Sequence, residues 1–104
     1  MTVSQAIIEF LSQQYTVDGN HRERTISGVF GIFGHGNVAG IGQALKQLSV
    51  ENPSKMPYFQ ARNEQAMVHE SSAFARIKRR RSTFACAASV GPGATNMLTG
   101  AAVA

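Results

Sequence analysis

Pro57-Tyr58-Phe59-Gln60-Ala61-Arg62-Asn63-Glu64-Gln65-Ala66-Met67-Val68-His69 joins a short extended run to a long helical one. Asn63 is a good helix N-cap, because its side chain accepts a bond from an orphan backbone N–H. The helix is expected over residues 63–78, with Met67, Phe74 and Ile77 on an apolar stripe. Glu64 then falls in the first turn, just past a strand, at the edge of an open α/β sheet where ligands collect. Two readings stand side by side: a carboxylate that complements the helix dipole, worth up to ~1 kcal/mol, or a site residue.

The same strand–turn–helix unit is legible twice more. Gly28-Val29-Phe30-Gly31-Ile32-Phe33 is a buried strand candidate, and Gly34-His35-Gly36-Asn37 turns the chain into a helix over 38–48. A loop follows over 49–56. The third strand, Ser82-Thr83-Phe84-Ala85-Cys86-Ala87-Ala88, ends at Gly91-Pro92-Gly93, and the chain is helical again from Ala94. Three such units imply an α/β fold, a three-layer open parallel sheet with helices on both faces and right-handed crossovers. In front lies an amphipathic helix over 2–14, with Val3, Ala6, Ile7, Phe10 and Leu11 on one face and Thr2 or Ser4 as cap. Residues 15–27 are polar, carry Asp18-Gly19-Asn20 as turn chemistry, and read as a loop. The final helix has no glycine cap and no basic last turn, and three strands leave an exposed edge. The expectation is the front part of a longer protein.

Composition narrows the function classes. The 104 residues allow one small domain. No apolar run approaches the ~20 residues of a membrane span, and no basic stretch followed by an apolar one marks a signal peptide. A cytoplasmic location is expected. Cys86, the single cysteine, cannot form an internal disulfide and reads as a small buried hydrophobe. Lys78-Arg79-Arg80-Arg81 supplies four of the ten basic residues behind the net charge of +4. This run falls at a helix C-terminus, where cations complement the dipole, and lacks interleaved aromatics. Neither a nucleic-acid nor a membrane partner is expected.

Gly34-His35-Gly36-Asn37-Val38-Ala39-Gly40 imitates a dinucleotide fingerprint but has one residue too many, and no acidic residue ends the second strand. Its glycines permit tight turns and close helix–strand packing. A non-catalytic nucleotide-binding module remains the alternative on this turn. His35 stands at the ligand-bearing edge and titrates near neutrality, which makes it either a site residue or a solvated loop histidine. Asn37 reads as a helix cap or a weaker site candidate.

Three elements now share one sheet edge: the Gly34–Asn37 turn, Arg62-Asn63-Glu64-Gln65, and Ser89-Val90-Gly91-Pro92-Gly93-Ala94-Thr95-Asn96. In this order and spacing they resemble the N-terminal pyrimidine-binding domain of thiamine-diphosphate enzymes of the acetolactate synthase and pyruvate decarboxylase type. The resemblance covers nearly the whole chain, so residues 1–104 are expected to be the N-terminal part of such a domain. The segment from Gly28 to Val38, with Arg62-Asn63-Glu64-Gln65, is more specifically similar to the branch that hydrolyses a carbon–carbon bond of a cyclic 1,2-dione in myo-inositol degradation.

The resemblance implies a task for each site residue. The glutamate matching Glu64 hydrogen-bonds the cofactor's pyrimidine ring nitrogen and favours the imino tautomer that activates the thiazolium carbon. The hard chemistry is the cofactor's, and the protein positions and tunes it. A semi-buried Glu64 is expected to have its pKa raised by desolvation. Gly91, Pro92, Gly93 and Asn96 are the further cofactor-binding positions. His35 is expected to contact substrate or move a proton, and Asn37 to contact substrate. The cofactors implied are thiamine diphosphate and Mg2+, both held mainly by a second domain whose G-D-G…N-type motif is absent from these residues, so no metal ligand is assigned to this chain. The partners implied are a small-molecule substrate and further copies, as homodimer or homotetramer; these residues alone are expected to be inactive. Ala61, Ala66 and Ala73 stand where relatives commonly have glycine, and Glu70 where a small apolar residue is more typical. These departures bear on the substrate more than on the cofactor class, and another enzyme of the acetolactate synthase or decarboxylase type is the alternative.

Overall fold

A computed structural model describes residues 2–32, 38–52, 55–89 and 91–104. The first helix, α1 (Val3–Ser12), opens on a capping box. Thr2 Oγ1 accepts from the Gln5 N–H at 3.1 Å, and Gln5 Oε1 accepts from the Thr2 N–H at 2.8 Å. Such caps contribute ~1 kcal/mol. The helix is rotated from the expected orientation: Ile8 and Ser12 are buried, while Val3 is 78% and Phe10 64% exposed. Val3, Ala6, Ile7, Ile8, Phe10 and Leu11 surround most of the helix, so the pattern permits two faces and the neighbouring α-layer selects one.

Residues 15–27 correct the loop expectation. They hold an antiparallel hairpin, β1 (Tyr15–Asp18) and β2 (His21–Arg24), with Tyr15 opposite Arg24 and Asp18 opposite His21. Gly19 turns it at φ 62°. β1 is mostly exposed, and β2, half exposed, carries charged residues at successive positions and so on both faces, which erases the alternation by which a half-buried strand is read. Arg22 lies over the Tyr15 ring at 4.1 Å. Glu23 meets Lys78 Nζ and Arg81 Nε at 3.6 Å each, and Arg81 Nη1 reaches Asp18 at 3.6 Å. Half of the basic run is thus engaged by the hairpin.

The main sheet is parallel, with β3 (Ile26–Gly31) between β4 (Tyr58–Gln60) and β5 (Thr83–Ala87). Gly31 is in register with both Gln60 and Ala87, so the three strands end level at one edge. Gly28 is needed for the close approach of its neighbours: a Cβ there would lie 2.8 Å from Pro57 O and 3.1 Å from the Phe84 ring.

Helices cover both faces, giving the expected three layers. On one, α1, a π-helical turn (Val38–Gly42) and α2 (Gln43–Glu51) close over Ile8, Val29, Ala44, Leu45 and Met56. On the other, α3 (Glu64–Ile77) buries Met67 completely, a side chain whose burial is worth ~1.5–3 kcal/mol. Phe30, Phe59, Phe84 and Phe74 pack with ring centroids 4.8 to 5.9 Å apart. Ile77 departs from the predicted stripe and is 81% exposed, because α3 ends there and the chain turns away. Lys78 caps the helix, Arg79 and Arg80 take φ of 54° and 65°, and the Arg80 N–H returns to Ala75 O at 2.7 Å. This left-handed termination satisfies a C-terminal carbonyl without a glycine.

The final helical region starts at Pro92 and breaks at Met97 into α4 (Pro92–Asn96) and α5 (Leu98–Val103). Gly100 docks α5 on α3: a Cβ there would lie 2.8 Å from Val68 Cγ1. Among the described residues, no helix is long and apolar enough to cross a membrane.

Candidate functional site

Two of the three level strand ends carry the described part of the site. After β4, Asn63 caps α3, its side chain accepting from the Ala66 N–H at 3.0 Å. That bond fixes Glu64 as the first helical residue, at the positive end of the dipole. After β5, Gly91 adopts φ 63° and ψ −119°, a conformation open only to glycine, and Pro92 opens α4 with its preset φ. The Gly91 carbonyl accepts from both the Thr95 N–H at 2.9 Å and Thr95 Oγ1 at 3.0 Å. The short helix is thereby fixed at its start, and Asn96 at its end is placed beside α3.

Asn96 Nδ2 donates to Glu64 Oε1 at 2.9 Å. Glu64, Gly91, Pro92, Gly93, Thr95, Asn96 and Thr99 line one open groove. At Gly93 a Cβ would lie 3.2 Å from Glu64 Oε2 and collide with Ser89 Oγ. Backbone and carboxylate therefore face each other with no side chain between them.

The electrostatics correct one expectation. The Glu64 pKa is lowered, first by the Asn96 amide and then by the backbone N–H of Glu64 itself; desolvation opposes but does not win. Hydrogen bonds to the charged form outweigh burial because the groove is open to water. The carboxylate is ionised at neutral pH.

The structure thus brings Glu64, Gly91, Pro92, Gly93 and Asn96 together. His35 and Asn37 lie outside the described residues. Ser89, Thr95 and Thr99 were not singled out in the sequence. Thr95 had a readable signal, since a threonine four residues after a glycine turn caps that turn; Ser89 and Thr99 had none. No group of three or more histidine, cysteine, aspartate or glutamate side chains gathers to hold a metal among the described residues. Cys86 is half-buried against Ser71 Oγ at 3.1 Å, and burial pushes its thiol pKa up. It stands as part of the packing under α3.

An open parallel sheet with a carboxylate at a helix start, facing a Gly-Pro-Gly turn across a groove, defines an α/β ligand-binding domain. The chain belongs to a particular family of such domains, described as "Thiamine pyrophosphate enzyme, N-terminal TPP binding domain", whose pattern matches residues 1–104. It is similar to proteins named 3D-(3,5/4)-trihydroxycyclohexane-1,2-dione hydrolase. Identity is 49% to that of Clostridium perfringens (strain 13 / Type A), 48% to that of Clostridium botulinum (strain Eklund 17B / Type B), and 47% to that of Bacillus thuringiensis (strain Al Hakam). Each comparison spans 100% of this chain and 16% of the relative. The chain thus spans about one sixth of the length of the curated relatives it matches. No solved structure matches it.

Proposed function

We propose that these residues form the N-terminal pyrimidine-binding part of a thiamine-diphosphate- and Mg2+-dependent enzyme that hydrolyses a carbon–carbon bond of a cyclic 1,2-dione. The observation that carries this is the Glu64 carboxylate held over the Gly91-Pro92-Gly93 turn, in a chain that is 49% identical over its full length to a protein named as a trihydroxycyclohexane-1,2-dione hydrolase. The residues fit the cofactor: the space opposite Glu64 is one that any side chain at position 93 would fill.

Thiamine diphosphate supplies a nucleophilic carbon and an electron sink for breaking a bond next to a carbonyl. The chain's own contribution is to bind, orient and place a charge. Glu64, ionised in the open groove, would hold the cofactor's ring nitrogen by a hydrogen bond and favour a positive charge on that ring. Closing the groove removes water and strengthens that interaction, because the effective dielectric falls. Gly91 and Gly93 let the backbone approach a flat ring. His35 and Asn37, which follow β3 in the sequence, are assigned to substrate. The diphosphate and magnesium belong to a second domain, from another subunit of a homodimer or homotetramer, and a cytoplasmic location suits such a catabolic enzyme.

The test is turnover of the cyclic dione by the full-length protein with thiamine diphosphate and magnesium, beside Glu64→Gln. Cofactor-dependent turnover that collapses in the variant is the expected result. Undiminished turnover in the variant returns Glu64 to a helix-dipole role. Absent turnover with cofactor still bound discards the substrate and keeps the cofactor.

A further inference from the structure

Glu64 presents two oxygens with different neighbours. Oε1 accepts from the Asn96 amide at 2.9 Å, whereas Oε2 is the oxygen 3.2 Å from the position a Gly93 Cβ would take. We propose that Asn96 is a positioning residue: its amide fixes the plane of the Glu64 carboxyl, occupies Oε1, and presents Oε2 across the groove as the oxygen that meets the ligand. This inference rests on the reading of Glu64 given above, but assigns Asn96 a role through Glu64 instead of a contact with the cofactor.

The local construction supports it. Asn96 is the last residue of α4, held in place by a turn whose glycine carbonyl accepts twice from Thr95. A neutral amide can donate there; an aspartate of the same shape cannot when ionised, and an alanine leaves Oε1 to water. Few other groups compete for control of Glu64. The elements packed against α3 are β3, β5, α4 and α5, and of these only β5 carries a titratable side chain, Cys86. On α3 and its approach the charged or titratable residues are Arg62, His69, Glu70 and Arg76. The lowered pKa of Glu64 is caused by the Asn96 amide and its own N–H, with no charged neighbour contributing. The protonation state of the site residue therefore hangs largely on one side chain from a different helix.

The experiment is thiamine diphosphate binding to the full-length protein, in magnesium, measured by calorimetry as a function of pH. Wild type is compared with Asn96→Ala, Asn96→Asp and Glu64→Gln, each checked for a native circular dichroism spectrum. Wild-type binding is expected to fall as pH drops through the Glu64 pKa. Asn96→Ala should move that acid limb to higher pH, with weaker binding along it, because the hydrogen bond that favours the charged form is gone. Asn96→Asp, which keeps shape and places a second carboxylate beside Glu64, should move it further, because like charges that close resist ionising together. Glu64→Gln should abolish the limb. If both Asn96 variants overlay wild type while Glu64→Gln loses the limb, the positioning role is overturned and the reading of Glu64 survives. A limb that persists in Glu64→Gln overturns that reading, and the role of Asn96 with it.

Discussion

Gly93→Ala tests the groove without touching its charged residue. The added methyl would meet Ser89 Oγ and lie 3.2 Å from Glu64 Oε2. The serine hydroxyl is the end of a short side chain, and a change of rotamer moves it away for roughly 0.5–1.5 kcal/mol. Against that cost, Gly93 lies within α4, where alanine is favoured over glycine by up to ~1 kcal/mol. The two terms nearly cancel, so unfolding midpoints should change little. Binding behaves differently, because the methyl stays between the backbone and Oε2 whatever Ser89 does. Loss of one charge-assisted hydrogen bond, ~1.5–3 kcal/mol, corresponds to roughly tenfold to a hundredfold weaker thiamine diphosphate binding. The assay is calorimetry on the full-length protein with magnesium, beside thermal unfolding of the same samples. Ser89→Ala/Gly93→Ala is the control: it removes the collision yet keeps the methyl, and should bind as poorly as Gly93→Ala alone. Recovery of binding in the double variant would refute the reasoning, because the defect would then lie in the turn and not in the groove.

Four further outcomes follow from the packing and charges. Gly100→Ala brings a methyl within 2.8 Å of Val68 Cγ1 and 2.9 Å of Val68 Cβ and should destabilise by ~1–2 kcal/mol in chemical denaturation; Val68→Ala in the same chain removes the first contact and keeps the second, so it should recover only part of that, a coupling that a double-mutant cycle reads directly. Met67→Ala empties a fully buried site and should cost ~2–5 kcal/mol, seen as a lower urea midpoint. The lowered pKa of Glu64 means that the folded state binds its proton less tightly than the unfolded chain does. Its stabilising contribution is complete above the ordinary carboxylate pKa and is lost as pH falls through the depressed value, so Glu64→Gln should flatten the acid side of a stability–pH curve. Cys86, its thiol pKa raised by burial, should react with a disulfide reagent far more slowly than a free thiol at neutral pH, and unfolding should abolish the difference.

How much of this was legible in the sequence depended on whether a residue's partner was local. Asn63 as cap, Glu64 in the first turn and the passage from strand to helix at Gly91-Pro92-Gly93 follow from rules spanning a few residues, and the structure agrees with each. The parallel order was readable because strand–turn–helix repeats three times. The hairpin over residues 15–24 was not, because Asp18 and Glu23 find their partners in charges more than fifty residues away. The burial of Ile8 in place of Ile7 was also out of reach, since a helix apolar on several sides is oriented only by what it meets. The Glu64 pKa went the wrong way for the same reason: its deciding neighbour, Asn96, is 32 residues on.

The fourteen residues of α3 make a rod roughly 21 Å long. One tip holds the site carboxylate; the other is tethered to the hairpin through Lys78 and Arg81 by partly exposed ion pairs at 3.6 Å, individually weak. Between the tips, Val68 packs closely against Gly100. A tilt of only 3° about the far tip would carry Glu64 by about 1 Å over that length, comparable to the tolerance of a hydrogen bond. The Asn96 amide holds the carboxyl in the groove, but where that carboxyl sits also depends on how the whole rod is seated, as far as its remote end at the hairpin.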